Sequence, residues 1–190
     1  TGRAYVQLTP DGENSIIVMA LANQHLSPEG AVSALDKTQP RLVLTQLEVP
    51  QDVTVAVAEW CREKNVRFVL NPSPAQPIAS GAVSNADPLI VNLGEAQIIL
   101  DIESCDPSEL ARQLARTFTS VVLTAGPNGA FVAQGETVQH ISGQQVAVVD
   151  TTGAGDAFAG TLVGHLSSGR TLTDSAKLAN NEAARVIQLP

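Results

Sequence analysis

The chain has 190 residues, is 44% hydrophobic and carries a formal net charge of −8, which gives it enough apolar material to bury the core of one compact domain. Eleven Lys and Arg against nineteen Asp and Glu make a basic patch hard to assemble, which argues against nucleic acid or an anionic membrane as partner. No hydrophobic run approaches a membrane span and no signal peptide is visible, so a soluble, cytoplasmic protein is expected.

Ala4 to Leu8 and Ser15 to Met19 flank the turn-rich segment Thr-Pro-Asp-Gly-Glu-Asn at 9–14 and read as a hairpin. An apolar strand at Leu42 to Leu47 leads into a helical pattern from about Asp52 to Lys64, then a strand at Arg67 to Leu70. On that helix Trp60 and Cys61 read as buried packing residues rather than binding or redox groups. Residues 72–87, with three prolines, read as loop-rich. The strand Leu89 to Val91 gives way to a short helix. Asp106-Pro107-Ser108-Glu109 predicts a capping box with proline in the first turn, opening a helix that runs to about Phe118.

A strand at Ser120 to Thr124 follows, then Gly129 to Ala133 and Val138 to Ile141, joined through Gln134-Gly135-Glu136 as a hairpin at the sheet edge. Val146 to Val149 is an apolar run suited to a buried strand. Ala157, Phe158, Leu162, Val163 and Leu166 recur at helical spacing, with Gly169 as the stop, and a last helix runs from about Leu172 to Ile187. Strands alternating with helices predict an α/β fold with a largely parallel sheet covered on both faces. Ligands in such sheets bind beyond the carboxyl ends of the strands.

The nine residues Asp150 to Phe158, DTTGAGDAF, stand where the expected strand meets a helix. The first turn of a helix exposes backbone N–H groups without intrahelical acceptors, and the aligned peptide dipoles add partial positive charge. Gly153, Ala154 and Gly155 have almost no side chain to obstruct an anion there. Asp156 has an ordinary reading as dipole compensation. Beside a bound phosphate, however, its carboxylate would be repelled unless it had a proton to remove, which points to phosphoryl transfer to a hydroxyl. The segment is neither a P-loop, since no lysine-plus-serine/threonine pair follows the glycines, nor a dinucleotide fingerprint, since the third glycine of G-x-G-x-x-G is missing.

The nonapeptide resembles, without a gap, the C-terminal signature of the ribokinase-like (PfkB) carbohydrate kinases. Other segments resemble that family in the same order along the chain: Asn92-Leu93-Gly94-Glu95 has its N-x-x-E spacing, and Thr124-Ala125-Gly126-Pro127-Asn128-Gly129 its T-x-G-x-x-G turn. Gln46-Leu47-Glu48 and Asn71-Pro72-Ser73-Pro74-Ala75 resemble the ribokinase branch in particular. Read from their residues alone, Asn92 to Glu95 is also a helix start and Thr124 to Gly129 also a loop signal.

The resemblance implies a Rossmann-like three-layer sandwich with a lid, of which residues 1–20 would be a part, and ATP, Mg²⁺ and a monovalent cation such as K⁺ as cofactors. It assigns catalysis to Asp156 as base, with Gly153, Ala154 and Gly155 as the anion hole, and places Glu48 and Asp156 at the sugar. Asn92, Thr124, Gly126, Gly129 and Asn180 would serve the nucleotide, with Asn181 as an alternative to Asn180. Glu95 would hold Mg²⁺ through water, and Asp150 and Thr152 would offer carbonyls to the monovalent cation.

The partners implied are a small sugar and ATP, with a homodimer formed through the lid as an option. The family's N-terminal sugar-gripping segment has no counterpart before Thr1, so the expectation is one incomplete domain over residues 1–190, the C-terminal portion of a longer kinase. Phosphorylation of D-ribose to D-ribose 5-phosphate is the expected reaction. The alternatives are another sugar, a nucleoside or a hydroxymethyl-pyrimidine as acceptor, or a non-catalytic nucleotide-binding fragment. His25, His140 and His165 share no metal-ligand spacing and read as structural or surface residues.

Overall fold

The computed structural model describes residues 2–8, 14–103 and 106–189; most of the turn-rich segment expected at 9–14 lies outside them. In chain order it contains β1 (Arg3–Leu8), β2 (Asn14–Met19), α1 (Pro28–Thr38), β3 (Leu42–Thr45), α2 (Gln51–Lys64), β4 (Arg67–Leu70), α3 (Ser80–Val83), β5 (Ala86–Asn92), α4 (Leu93–Leu100), α5 (Pro107–Leu114), β6 (Val121–Thr124), β7 (Ala130–Gln134), β8 (Thr137–Ile141), α6 (Ala154–Ser167) and α7 (Leu172–Val186). β1 and β2 pair antiparallel as a separate two-stranded sheet.

The other six strands form one sheet in the order β3-β4-β5-β6-β7-β8. Pairing is parallel from β3 to β6 and antiparallel from β6 to β8. Successive side chains of a strand point to opposite faces, and the apolar runs of β4, β5 and β6 therefore fill two cores. Phe68, Leu70, Leu89, Val91, Val121 and Leu123 pack with α2, α4 and α5 through Val57, Trp60, Ala96, Leu110 and Leu114. Val69, Ile90 and Val122 pack with α6 and α7 through Phe158, Leu162, Leu166 and Ala176. The result is the three-layer α/β sandwich that the alternation predicts.

Trp60 is buried, as expected, and its indole N–H donates to Asp36 Oδ1 at 2.9 Å, tying α2 to α1. Burial also pushes the Cys61 thiol up to about 11, so it stays an inert packing group.

Four expectations need correction. Val146 to Val149 is not a strand: Val148 and Val149 are 58% and 59% exposed, and the backbone bonds to a helix end instead, with Val149 N–H donating to Ile187 O at 2.8 Å. An apolar run does not by itself say which surface covers it. The helix expected to reach Phe118 ends at Leu114, where Arg116 N–H bonds back only three residues, to Gln113 O. At its start Asp106 caps the amides of Ser108 and Glu109, but Glu109 turns to Arg112 (2.5 Å) and Gln113 instead of closing a box. The strand expected over Leu42 to Leu47 stops at Thr45.

α1 had no counterpart in the expected elements, although its start is written in the sequence. Ser27 Oγ accepts the Gly30 amide at 3.1 Å and Pro28 occupies the first turn. Among the described residues no helix is long and apolar enough to cross a membrane.

Leu162 is fully buried between α6 and the sheet. Leu162→Ala should lower unfolding free energy by about 2–5 kcal/mol in urea melts, the range for a leucine cavity. A loss under 1 kcal/mol would mean that α6 is not held by this core.

Candidate active site

The carboxyl ends of β3, β4, β5 and β6 lead into segments 46–48, 71–73, 92–95 and 124–129. Parallel pairing puts these at one edge of the sheet, and α6 begins at the same edge. A cavity of about 340 Å³ opens there, lined by Thr124, Gly126, Gly129, Gly155, Thr151 and Asn180, with Val146, Val148, Phe158 and Ile187 as its apolar wall. Both volume and lining suit a small-molecule site.

The start of α6 is built by backbone conformation. Gly153 is its N-cap at φ 76°, a left-handed conformation that favours glycine, and no side chain caps the helix. The Gly153 carbonyl accepts from Ala157 N–H at 2.8 Å, and the Ala154 N–H reaches Thr151 O at 3.2 Å. Of the three amides expected to form an anion hole, that of Ala154 is thus already engaged. The helix dipole adds to whatever donor strength the first turn retains. A Cβ on Gly155 would meet no protein atom within 4 Å, so its missing side chain leaves room for something outside the protein.

The Thr124 to Gly129 turn is the opposite case. Gly129 sits at φ +85°, and a Cβ there would fall 2.0 Å from Ile141 O. A Cβ on Gly143 would fall 2.0 Å from Pro127 O. His140 Nε2 contacts Asn128 O at 2.7 Å and its ring stacks on Phe131. The turn is therefore clamped onto segment 141–143; His140 is structural, within the reading its sequence position gave, and Gly143 is a structural member of the site that sequence reasoning missed. The strap 142–149 continues across α7: Asn180 Nδ2 donates to Ser142 O at 3.1 Å, and Gln144 Nε2 donates to Asn181 Oδ1 at 2.5 Å. Of the two asparagines, Asn180 lines the cavity.

Asn92 and Glu95 form a reciprocal capping box at the start of α4. Asn92 Oδ1 accepts from Glu95 N–H at 2.8 Å, and Glu95 Oε2 accepts from Asn92 N–H at 2.8 Å. Glu95 is only 8% exposed. Desolvation raises its pKa, opposed by hydrogen bonds from the Asn92 amide and the Ser73 hydroxyl. Neither residue lines the cavity, although Asn92 is the register partner of Thr124. Among the described residues no three His, Cys, Asp or Glu side chains converge to hold a metal. A magnesium ion would fit here only with most ligands from phosphate and water, which is its usual habit.

Asp150 Oδ1 accepts from Thr152 N–H at 2.8 Å, and hydrogen bonds from the Thr152 backbone and side chain hold its carboxyl below the usual range. Glu48 is exposed on the loop after β3, behind buried Leu47. Asp156 is exposed in the first turn of α6, and its Oδ1 accepts from Gln46 Nε2 at 3.3 Å. That contact joins residues 110 positions apart, and no local motif announces it.

Fold and site together define a three-layer α/β protein whose glycine turn and uncapped helix start share one cavity at the carboxyl edge of a parallel sheet. The chain belongs to the pfkB family of carbohydrate kinases, whose family model matches residues 1–190. It is similar to the ribokinase of Staphylococcus aureus (strain COL), 30% identical over 195 residues that cover 99% of this chain and 64% of that protein. It is also similar to the deoxyribokinase of Salmonella typhi, 29% identical over 167 residues that cover 84% of this chain and 54% of that protein. Among solved structures, the ribokinase of Thermotoga maritima matches with a TM-score of 0.86 at 26% identity, over 100% of this chain and 64% of that one. The chain thus spans less than two thirds of the length of these relatives.

Two outcomes test this site. Gly129→Ala and Gly143→Ala should each destabilise the fold by on the order of 3 kcal/mol, from backbone overlap with added φ strain at Gly129. Gly155→Ala should stay within about 1 kcal/mol of the parent; denaturant melts that fail to separate the first two from the third would contradict this account of the clamp.

For Glu95, a raised folded pKa means that the folded state holds its proton more tightly than the unfolded chain. Ionisation therefore costs stability above the ordinary carboxylate range and costs nothing below it. Glu95→Gln keeps an acceptor for the Asn92 amide. It should be at least as stable as the parent at pH 7, with the difference vanishing as pH falls below 4.5, the ordinary glutamate value. A variant clearly less stable at pH 7 would show that the carboxylate charge is needed.

Proposed function

We propose that the complete protein transfers the γ-phosphoryl group of ATP to a sugar hydroxyl, with D-ribose to D-ribose 5-phosphate as the reaction, in the cytoplasm. One observation carries the reading: the Thr124 to Gly129 turn, the start of α6 and Asn180 line a single cavity, and Asp156, not itself a lining residue, follows directly on Gly155 in the first turn of α6. The similarity to ribokinases supports ribose as acceptor.

In this mechanism Asp156 takes the proton of the acceptor hydroxyl while that oxygen attacks the γ-phosphorus and the bond to the β-phosphate oxygen breaks, leaving ADP. The first-turn amides of α6, with Gly155 leaving them unobstructed, bind the transferred phosphoryl oxygens. Thr124, Gly126 and Gly129 shape the nucleotide side, and Asn180 and the apolar wall take the base. Asn92 and Glu95 would hold Mg²⁺ through water, and the ion would supply charge neutralisation on the phosphates. Asp150 and Thr152 offer backbone carbonyls to a monovalent cation, and Glu48 binds the sugar. Tyr5, Ile17 and Met19 leave an apolar face exposed on the β1–β2 sheet, which supports a lid that also serves as a homodimer contact.

Asp156→Asn in the complete protein should lower turnover by roughly 10²–10⁴ and leave ATP affinity nearly unchanged, read by coupled assay and calorimetry. Near-normal turnover would sink the base assignment. Ribose ranking below 2-deoxyribose or a nucleoside in a substrate panel would end the ribose assignment and leave the phosphotransfer chemistry standing.

A further inference from the structure

We propose that Gln46 is a positioning residue for the Asp156 carboxylate, itself oriented through Asn71 by the main-chain carbonyl of Ile90. Three hydrogen bonds make the chain. Asn71 Nδ2 donates to Ile90 O at 3.0 Å, Gln46 Nε2 donates to Asn71 Oδ1 at 3.0 Å, and the same Gln46 nitrogen donates to Asp156 Oδ1 at 3.3 Å.

The direction of this relay is set at its buried end. A peptide carbonyl can only accept, so Asn71 must turn its NH₂ to Ile90 and its oxygen to Gln46. Gln46 must then present its own NH₂, whose two hydrogens serve Asn71 and Asp156. Main-chain bonds hold the two amide residues in place: Asn71 N–H donates to Thr45 O at 2.9 Å, and Leu47 N–H donates to Ser73 O at 3.0 Å. Gln46 lies between those two ties, next to buried Leu47.

An exposed aspartate in the first turn of a helix otherwise samples several rotamers. A fixed N–H donor on Oδ1 restricts it and leaves Oδ2 to receive the hydroxyl proton. The role rests on the reading of Asp156 as base, and it adds what that reading lacks, a cause for the carboxylate's orientation. Gln46 touches no reacting atom, so its removal should act on turnover and spare binding.

The test compares Gln46→Leu, Gln46→Glu, Asn71→Asp and Asp156→Asn in the complete protein, with Mg·ATP and the best acceptor of the substrate panel. Both Gln46 variants should lose roughly 10- to 100-fold in kcat, the scale of a misplaced catalytic group, with KM for ATP and sugar within about 3-fold of the parent. Asn71→Asp, which cannot donate to Ile90 O, should lower kcat in the same direction. Adding Gln46→Leu to Asp156→Asn should change the rate less than about 2-fold, because the two act as one unit.

If Asp156→Asn is inactive but both Gln46 variants keep parental kcat, or if the losses in the double variant simply add, the positioning role falls and the base assignment stands. If Asp156→Asn turns over normally, both fall. Should the leucine variant fail to fold, the near-isosteric glutamate variant decides on the same terms.

Discussion

Burial of both faces of β4, β5 and β6 is the constraint from which the rest of the molecule follows. A strand that is apolar on both sides needs a helical layer on each. Parallel strands can be joined only by crossovers, which deliver every segment that leaves a strand's carboxyl end to the same sheet edge. Phe68, Leu70, Leu89 and Val91 face one layer while Val69 and Ile90 face the other. The segments at 46–48, 71–73, 92–95 and 124–129, far apart in the chain, thereby arrive together beside the start of α6. The chemistry at that edge is a consequence of how the core is covered.

The glycines at this edge do two different jobs. Gly129 and Gly143 are required by the protein itself, because backbone atoms of the facing segment occupy the space where a Cβ would stand. Gly155 is required by nothing in the protein, since the space beside it is open. The contrast separates a rigid wall from an open stretch of backbone. The Asn92–Glu95 capping box follows a similar division, with one pair of groups finishing a helix while keeping a desolvated carboxyl beside Ser73.

Local chemistry made much of this legible in the sequence. The α6 start, the α2 helix, the β4 strand and the β7–β8 hairpin each carry their own periodicity, cap or turn. Thr124, Gly126, Gly129 and Asn180 converge on one cavity because their resemblance to a family pattern encodes a shared fold. What escaped depends on partners distant in the chain. The run at Val146 to Val149 has strand composition, but the sheet already ends at β8, so it becomes a strap on α7. Gln46 and Asn71 were visible as members of motifs, yet their connection crosses from β3 through β4 to α6, and periodicity carries no such information. Asp106 to Glu109 shows the reverse error: a local pattern was present, but Glu109 found a better partner in Arg112.

The tie between Asn71 N–H and Thr45 O continues the β3–β4 ladder, in which Thr45 is the partner of Leu70. Side chains alternate along a strand, so sliding β4 by one residue would bring Leu70 to the place of Asn71 and turn Val69 into the wrong core. The same slip would exchange an amide for a methyl-ended side chain in the path from Ile90 to Asp156. Folding and the alignment of the carboxylate therefore share one reading frame, and a chain that misreads its sheet loses both at once.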